Sequence, residues 1–253
     1  MIPDIHTAPP LWGIRPVLFS VAGYSITAYG AFLLLGLLAA IGLYYVNTRG
    51  RGIGGDGVSI AVAAVVGGIL GAKLPIWIAH APEIVANPSS AMLLSGRTIL
   101  GGIVGGAVAV SLTKRKLGIT RRLGNFLVPS LCVGIFLGRI GCFLTGCCYG
   151  SITALPWGVD FGDGFARHPT QLYEAVFVLG LLVYAQVMKE RYAPGDLFKG
   201  FVVVYFGWRF LAEFIRVNPV SALGLTYYQI AAVLVILLFG YRISVGARER
   251  SLD

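Results

Sequence analysis

Seven long apolar stretches constrain this chain more than any other feature of its sequence. Each has close to the roughly 20 apolar residues that a helix needs to cross a bilayer. Only 12% of the residues are charged, against about a quarter in soluble domains, which argues against a soluble or disordered protein. We predict an all-α membrane protein, a single integral membrane domain over residues 1–253, with seven transmembrane helices at residues 26–46, 58–80, 97–113, 124–145, 171–188, 198–215 and 224–241.

The basic residues predict how these helices are oriented. Thirteen of the 20 Lys and Arg residues lie on one side of a seven-span arrangement, in the loops after spans one, three and five and in the C-terminal tail. The positive-inside rule places that side in the cytoplasm. The N-terminus is therefore predicted to lie outside and the C-terminus in the cytoplasm. The net charge of +9 is explained by this topology, and no nucleic-acid partner is expected.

Glycines recur at short intervals in the second and third spans. The two groups are Gly67, Gly68 and Gly71, and Gly101, Gly102, Gly105 and Gly106. Small residues at these spacings allow helix backbones to approach closely within a membrane. We interpret both groups as packing surfaces.

An arginine near the end of the fourth span is the first candidate site residue. Arg139 lies in the predicted outer half of the bilayer and is flanked by Gly138 and Gly141. A charge inside a span costs about 2.5–3.5 kcal/mol on insertion scales, so it usually has a partner or a function. The planar guanidinium suits a phosphate group. The alternative is a structural arginine paired with a carboxylate or with helix carbonyls.

Two charged residues follow Tyr205 in the sixth span, and a third lies just beyond its predicted end. Arg209 and Glu213 are spaced i,i+4, and Glu213 and Arg216 are spaced i,i+3, which predicts that all three share one helix face. One interpretation is a buried ion-pair network. The other is that Glu213 orients Arg209 while this arginine binds an anion.

The run from Arg167 to Glu174 leads from an outer loop into the fifth span. Pro169 or Thr170 can begin the helix, and Gln171 and Glu174 then lie near its N-terminus, where a carboxylate suits the helix dipole. For His168 a structural or binding role is favoured over a catalytic one, because no nucleophile is paired with it in sequence.

Three of the four cysteines lie within seven residues at the end of the fourth span. These are Cys142, Cys147 and Cys148, while Cys132 lies in mid-span and is interpreted as an apolar filler. A disulfide, a reactive thiolate beside Arg139 and simple packing are all consistent with the cluster. The run supplies too few ligands for a metal site, so we expect no metal and no cofactor.

These blocks resemble, in order and spacing over nearly the whole chain, the phosphatidylglycerol–prolipoprotein diacylglyceryl transferase family. The most specific part is Arg-His-Pro-x-Gln-Leu-Tyr-Glu at residues 167–174. The resemblance implies a multi-pass enzyme of the bacterial cytoplasmic (inner) membrane. It implies transfer of a diacylglyceryl group from phosphatidylglycerol to the lipobox cysteine in the signal peptide of a preprolipoprotein, with glycerol phosphate as the leaving group.

The resemblance also implies site residues. Arg139 and Arg209 match the two important arginines of the family, and Tyr29, Tyr205 and Glu213 match residues of its central cavity. Taken together, the sequence and the resemblance predict a catalytic group of Arg139, Arg209, Cys142, Cys147 and Cys148. They predict a substrate-binding group of Tyr29, His168, Gln171, Tyr173, Glu174, Tyr205, Glu213 and Arg216.

The chain departs from the family signature Gly-Arg-x-Gly/Ala-Asn-Phe-x-Asn-x-Glu-x-x-Gly at three polar positions. Cys142 and Thr145 replace the two Asn residues and Cys147 replaces the Glu, while Leu100 and Ala28 replace a His and a Trp elsewhere. Three hypotheses follow. The chain is a transferase with a variant site, a paralogue that binds an anionic phospholipid and uses its own thiols, or a non-enzymatic lipid-binding or transport protein. The retained arginines argue against a role that has no anion site.

Overall fold

The computed structural model describes residues 14–21, 24–51, 54–86, 98–218, 221 and 224–250. Within these ranges the chain forms eight α-helices and two short antiparallel hairpins. The helices are α1 (Ala28–Thr48), α2 (Gly54–Ala79), α3 (Ala81–Ala86), α4 (Ile99–Leu117), α5 (Gly124–Thr145), α6 (Thr170–Met188), α7 (Asp196–Ala212) and α8 (Tyr227–Arg250); the strands are β1 (Val17–Val21), β2 (Tyr24–Thr27), β3 (Val159–Asp160) and β4 (Ala166–Arg167).

The prediction of a mostly helical membrane protein is confirmed, and the structure adds two short hairpins that the all-α prediction did not contain. Five helices, α1, α2, α5, α6 and α8, are long and apolar enough to cross a bilayer. The other two predicted spans are also helical, but α4 has three consecutive basic residues in its last turn and α7 has only 17 residues. The predicted start of the third span, at residue 97, lies outside the described residues. Seven crossings and the orientation of the termini therefore stay predictions.

The described residues fall into two compact units, and the first contains both hairpins, α1 and α5 to α8. Here α5 packs against α6 and α7, and α7 packs against α8. The buried Asn125, at the start of α5, holds the turn between α6 and α7. Its amide donates to three carbonyls of that turn, and its oxygen accepts from the backbone amides of Gly195 and Leu197. The single integral membrane domain over residues 1–253 stays a prediction.

The second unit contains α2, α3 and α4, and its main contact is the glycine face between α2 and α4. A Cβ atom added at Gly71 would lie 2.5 Å from the carbonyl oxygen of Gly101, and one at Gly105 would lie 2.5 Å from that of Gly67. Real Cβ atoms do not approach other atoms this closely, so the two backbones are in direct contact. The predicted packing role of these glycines is confirmed.

Candidate functional site

The carboxylate of Glu174 joins three helices of the first unit. Glu174 lies in the second turn of α6 and is 2% exposed. Its Oε2 atom is 2.8 Å from Nη2 of Arg139 on α5 and 2.8 Å from Nη1 of Arg209 on α7. The hydroxyl of Tyr205, one turn before Arg209, donates to Oε1 at 2.6 Å. We call Arg139, Glu174, Tyr205 and Arg209 the Glu174 cluster.

The Glu174 cluster has a surplus positive charge and unused donors. Two arginines face one carboxylate, and all three side chains are buried. The Nε atoms of Arg139 and Arg209 are buried and have no hydrogen-bond partner among the described residues. Buried donors of this kind are rare in folded proteins and call for an explanation. Guanidinium donors pair strongly with phosphate oxygens, so the arrangement is suited to an anionic group.

Glu213 and Arg216 extend this network beyond the end of α7. Glu213 Oε2 is 3.6 Å from Nη2 of Arg209 and 3.6 Å from Nε of Arg216, and Asn218 donates to Glu213 Oε1. The prediction of one continuous helix face needs correction here. Helix α7 ends at Ala212, Glu213–Ile215 form a 3-10 turn, and Arg216 is in extended backbone. The ion pairs form across this change of backbone conformation.

The structure gives Arg209 a closer carboxylate than the one that sequence spacing suggested. Glu213 is the carboxylate one helical turn away in sequence, but Glu174 approaches Arg209 to 2.8 Å, against 3.6 Å for Glu213. Sequence spacing ranks only partners on the same helix, whereas Glu174 comes from α6. Arg139 is also paired with a carboxylate, as the interpretation of a structural arginine required. Its Nε atom has no hydrogen-bond partner among the described residues, which is compatible with the interpretation that it binds a phosphate.

The three clustered cysteines come together where the chain turns after α5. Cys142 is in the last turn of that helix, Gly146 ends it in the left-handed conformation with φ 74°, and Cys148 also has a positive φ of 67°. These two turns fold the chain back, so that the Sγ atoms of Cys142, Cys147 and Cys148 all lie within 4.8 Å of one another. We call these residues the thiol cluster.

The thiols are free and differ in their surroundings. Cys142 is buried, Cys147 half-buried and Cys148 exposed, while Cys132 is completely buried in α5 as predicted for a filler. Hydrogen bonds from the Cys142 and Cys147 thiols, together with the charges of Arg139 and Arg216, hold the pKa of the Cys148 thiol well below its usual value. Hydrogen bonding with the other two thiols raises the pKa of Cys147.

Side chains from other segments fix the backbone of the thiol cluster. The Thr170 hydroxyl donates to the carbonyl of Cys148 at 2.7 Å, and Nη1 of Arg216 donates to the same carbonyl at 3.2 Å. The Gln171 amide donates to the carbonyl of Cys147 at 2.5 Å. Thr170 is the first residue of α6, as the sequence suggested. Its anchoring role was missed, because it depends on which loop passes the start of that helix.

His168 and Tyr173 lie together at the start of α6. Nδ1 of His168 is 3.3 Å from the hydroxyl of Tyr173, which also accepts a hydrogen bond from Nε1 of Trp157 at 2.8 Å. The backbone of His168 pairs with Gly150 and Ser151. Trp157 was not predicted to take part, and its place in an irregular loop gives no sequence signal.

The remaining predicted and substituted positions are spread over several elements. Tyr29 is half-buried in the first turn of α1, and a Cβ added at Gly141 would lie 3.5 Å from its Cα. The buried Thr145 hydroxyl and the side-chain Oε1 atom of Gln171 have no hydrogen-bond partner in the described part of the chain. Leu100 is buried at the start of α4, in the second unit.

Comparison with known proteins gives a consistent result. The family model described as prolipoprotein diacylglyceryl transferase matches residues 16–244. A phosphatidylglycerol–prolipoprotein diacylglyceryl transferase of Clostridium tetani is 37% identical over 244 residues, which cover 91% of this chain and 98% of the relative. Proteins of the same name are 32% identical in Dehalococcoides mccartyi, over 91% of this chain and 94% of the relative, and 36% identical in Geobacter sulfurreducens, over 84% and 85%.

Proposed function

The chain belongs to the prolipoprotein diacylglyceryl transferase family, and from this premise we propose that it transfers a diacylglyceryl group from phosphatidylglycerol to a cysteine thiol of a prolipoprotein. The acceptor is the lipobox cysteine in the signal peptide. The protein works in the bacterial cytoplasmic membrane, which it crosses seven times with the N-terminus outside. The distribution of basic residues supports this orientation.

The reaction places defined demands on the protein. A thiolate sulfur attacks the glyceryl carbon of the lipid, and the bond from that carbon to the phosphate oxygen breaks. The electron pair leaves with glycerol phosphate, whose phosphate gains one negative charge. Cationic donors held where this charge develops lower the barrier, and the loss of one such donor typically costs about 100- to 1000-fold in rate.

The observation that carries the proposal is the convergence of Arg139 and Arg209 on Glu174. Two buried guanidinium groups from different helices meet at one carboxylate and keep a net positive charge with unused donors. We assign the phosphate of the lipid to these arginines. Glu174 and Tyr205 are then positioning residues, which hold both guanidinium groups before the lipid arrives.

Reconstitution with defined substrates tests this function. The purified protein is placed in phosphatidylglycerol liposomes with a lipobox peptide, and the peptide is followed by mass spectrometry. We expect the addition of one diacylglyceryl mass to the cysteine. A peptide with serine in place of the cysteine and liposomes of phosphatidylcholine are the controls. An unmodified peptide in the presence of folded protein and intact lipid would contradict the proposal.

The phosphate assignment has a separate test. Arg139→Ala should lower the transfer rate at least about 100-fold, because one cation is lost where charge develops. The exposed Arg115 at the end of α4 provides the matched control, and Arg115→Ala should leave the rate unchanged. Full activity of Arg139→Ala would refute the assignment.

A further inference from the structure

The thiol cluster takes no part in the phosphate binding that we assign to Arg139 and Arg209. Its three sulfur atoms lie within 4.8 Å of one another without forming a disulfide. Cys148 is the only non-glycine residue with a positive φ in the described part of the chain. A non-glycine residue in this conformation costs about 1–3 kcal/mol and persists only where its surroundings hold it there.

The surroundings of the thiol cluster do hold it. The carbonyl groups of Cys147 and Cys148 accept hydrogen bonds from Gln171, Thr170 and Arg216, which all lie outside the loop. Gln171 is itself fully buried. These hydrogen bonds hold the backbone of the loop in the conformation that brings the three thiols together.

Three convergent sulfur ligands are the chemistry of a soft metal ion. Thiolates favour zinc over the harder cations, and sulfur atoms at the zinc–sulfur distance of about 2.3 Å lie about 3.8 Å apart in a tetrahedral site. Sulfur atoms already within 4.8 Å of one another need to approach by about 1 Å at most to reach that spacing. Cys148, which supplies one of the three sulfur ligands, is an exposed residue.

The charges around the thiol cluster also suit such a site. One Zn²⁺ ion and three thiolates carry a net charge of −1. Arg139 interacts electrostatically with Cys142 and Cys148, and Arg216 contacts the backbone of Cys148. Arg139 also belongs to the Glu174 cluster. The arginine to which we assign the lipid phosphate is therefore within electrostatic range of the thiol cluster.

We infer that Cys142, Cys147 and Cys148 bind one zinc ion and leave its fourth position open for the acceptor thiol. This inference rests on the proposed function and deepens it. Zinc sites with three protein ligands and one open position are the catalytic type, and a thiol that coordinates the metal loses its proton. The expectation of no metal was based on too few ligands in the run, but a site with an open position needs only three.

The reaction at this site is balanced without an oxidant or reductant. The acceptor thiol releases its proton to solvent when its sulfur binds zinc. A lone pair of that sulfur forms the bond to the glyceryl carbon, and the carbon–oxygen bond breaks toward the phosphate. The neutral thioether then leaves the metal, and another acceptor thiol takes its place.

Metal content is the first test, because it does not depend on activity. The purified full-length protein is analysed for zinc by mass spectrometry, and zinc affinity is measured against a competing chelator. We expect about one zinc per chain. Cobalt loading should give thiolate-to-cobalt charge-transfer bands. Cys148→Ser should weaken zinc binding at least about 10-fold, since it removes a direct ligand, whereas Cys132→Ser should not.

The remaining outcomes separate this inference from the proposed function. If the three thiols bind zinc but the peptide is not modified, the proposed transferase function is refuted and the zinc site stands. If protein stripped of zinc transfers the diacylglyceryl group at the full rate, the inferred zinc site is refuted and the transferase function stands. A disulfide between two of these cysteines in active protein, or a diacylglyceryl adduct on one of them, would also overturn the inference. Cys148 is exposed and Cys142 is buried. Cys148→Ser is therefore expected to fold and to test zinc binding even if Cys142→Ser does not fold.

Discussion

Two helix contacts in this molecule are built by opposite means. In the second unit, α2 and α4 meet through glycines, and backbone atoms of one helix touch those of the other. In the first unit, α5, α6 and α7 meet through the long charged side chains of the Glu174 cluster. The glycine contact uses van der Waals packing, whereas the Glu174 cluster uses ion pairs buried away from water.

The difference shows where a ligand can bind. The glycine contact is filled by backbone atoms of the two helices. The Glu174 cluster keeps a surplus charge and unpaired Nε atoms on two arginines. The two contacts should therefore respond to different substitutions, one to added volume and the other to altered charge.

The largest effect is expected from Glu174→Gln. The change keeps the size of the side chain but removes the charge that faces two buried arginines. Breaking a buried ion pair costs about 3–5 kcal/mol in stability, and loss of arginine positioning should lower kcat about 100-fold or more. Transfer rates over a range of lipid concentrations, together with thermal unfolding in detergent, measure the two effects.

A matched control separates charge from simple disruption. Glu83→Gln changes an exposed carboxylate of α3 whose ion-pair partner in the described part of the chain is His80, and it should alter stability by less than about 1 kcal/mol. A Glu174→Gln protein with the stability and kcat of the unmodified chain would show that Glu174 is not a positioning residue.

The second effect, at the glycine contact, is expected from Gly71→Ala. The new Cβ would lie 2.5 Å from the Gly101 carbonyl oxygen and 2.7 Å from the Gly105 Cα, so the helices must separate. Overpacking of this kind costs about 1–3 kcal/mol. Thermal unfolding should report the loss, while kcat of the folded protein stays unchanged. Gly180→Ala is the control, because nothing lies within 4 Å of a Cβ there. Equal stability of both variants would contradict the close contact.

The same comparison explains what the sequence could predict. Long apolar stretches determined the positions of the helices to within a few residues, apart from α8, which continues to Arg250. Small-residue spacing identified the glycine contact, because both of its halves are patterns within single helices. Arg139 and Arg209 were identified because a charge within a span is costly and needs a reason.

The unpredicted features depend on contacts between separate segments. That Glu174 is shared by two arginines depends on which helices become neighbours, and spacing along one helix carries no such information. The thiol cluster depends on the left-handed conformation of Cys148. Glycine signals such a turn, as Gly146 does, but a cysteine does not. Thr170 and Trp157 contribute hydrogen bonds for which the sequence gives no periodic pattern.

A third, smaller effect is expected from Thr170→Val, at the boundary between the Glu174 and thiol clusters. The substitution removes the hydrogen bond to the Cys148 carbonyl, which keeps Arg216 as a second donor. We expect a loss of about 1 kcal/mol in stability, seen as a lower unfolding temperature. Thr120→Val, in the exposed loop after α4, is the control. A loss as large as that of Glu174→Gln would mean that the loop and the ion pairs form one cooperative network.

The smallest effect is expected from Trp157→Phe, and it tests how far the polar site extends beyond the Glu174 cluster. Trp157 is exposed and donates one hydrogen bond to Tyr173, which also contacts His168. Its loss should change stability by less than about 0.5 kcal/mol, as for most surface substitutions. Tyr173→Phe removes both hydrogen bonds and keeps the aromatic ring beside His168. If His168 binds the lipid headgroup, Tyr173→Phe should raise KM for the lipid and leave kcat unchanged. Trp157→Phe should leave KM unchanged. An unchanged KM in both variants would restrict substrate binding to the buried arginines and leave His168 a structural residue.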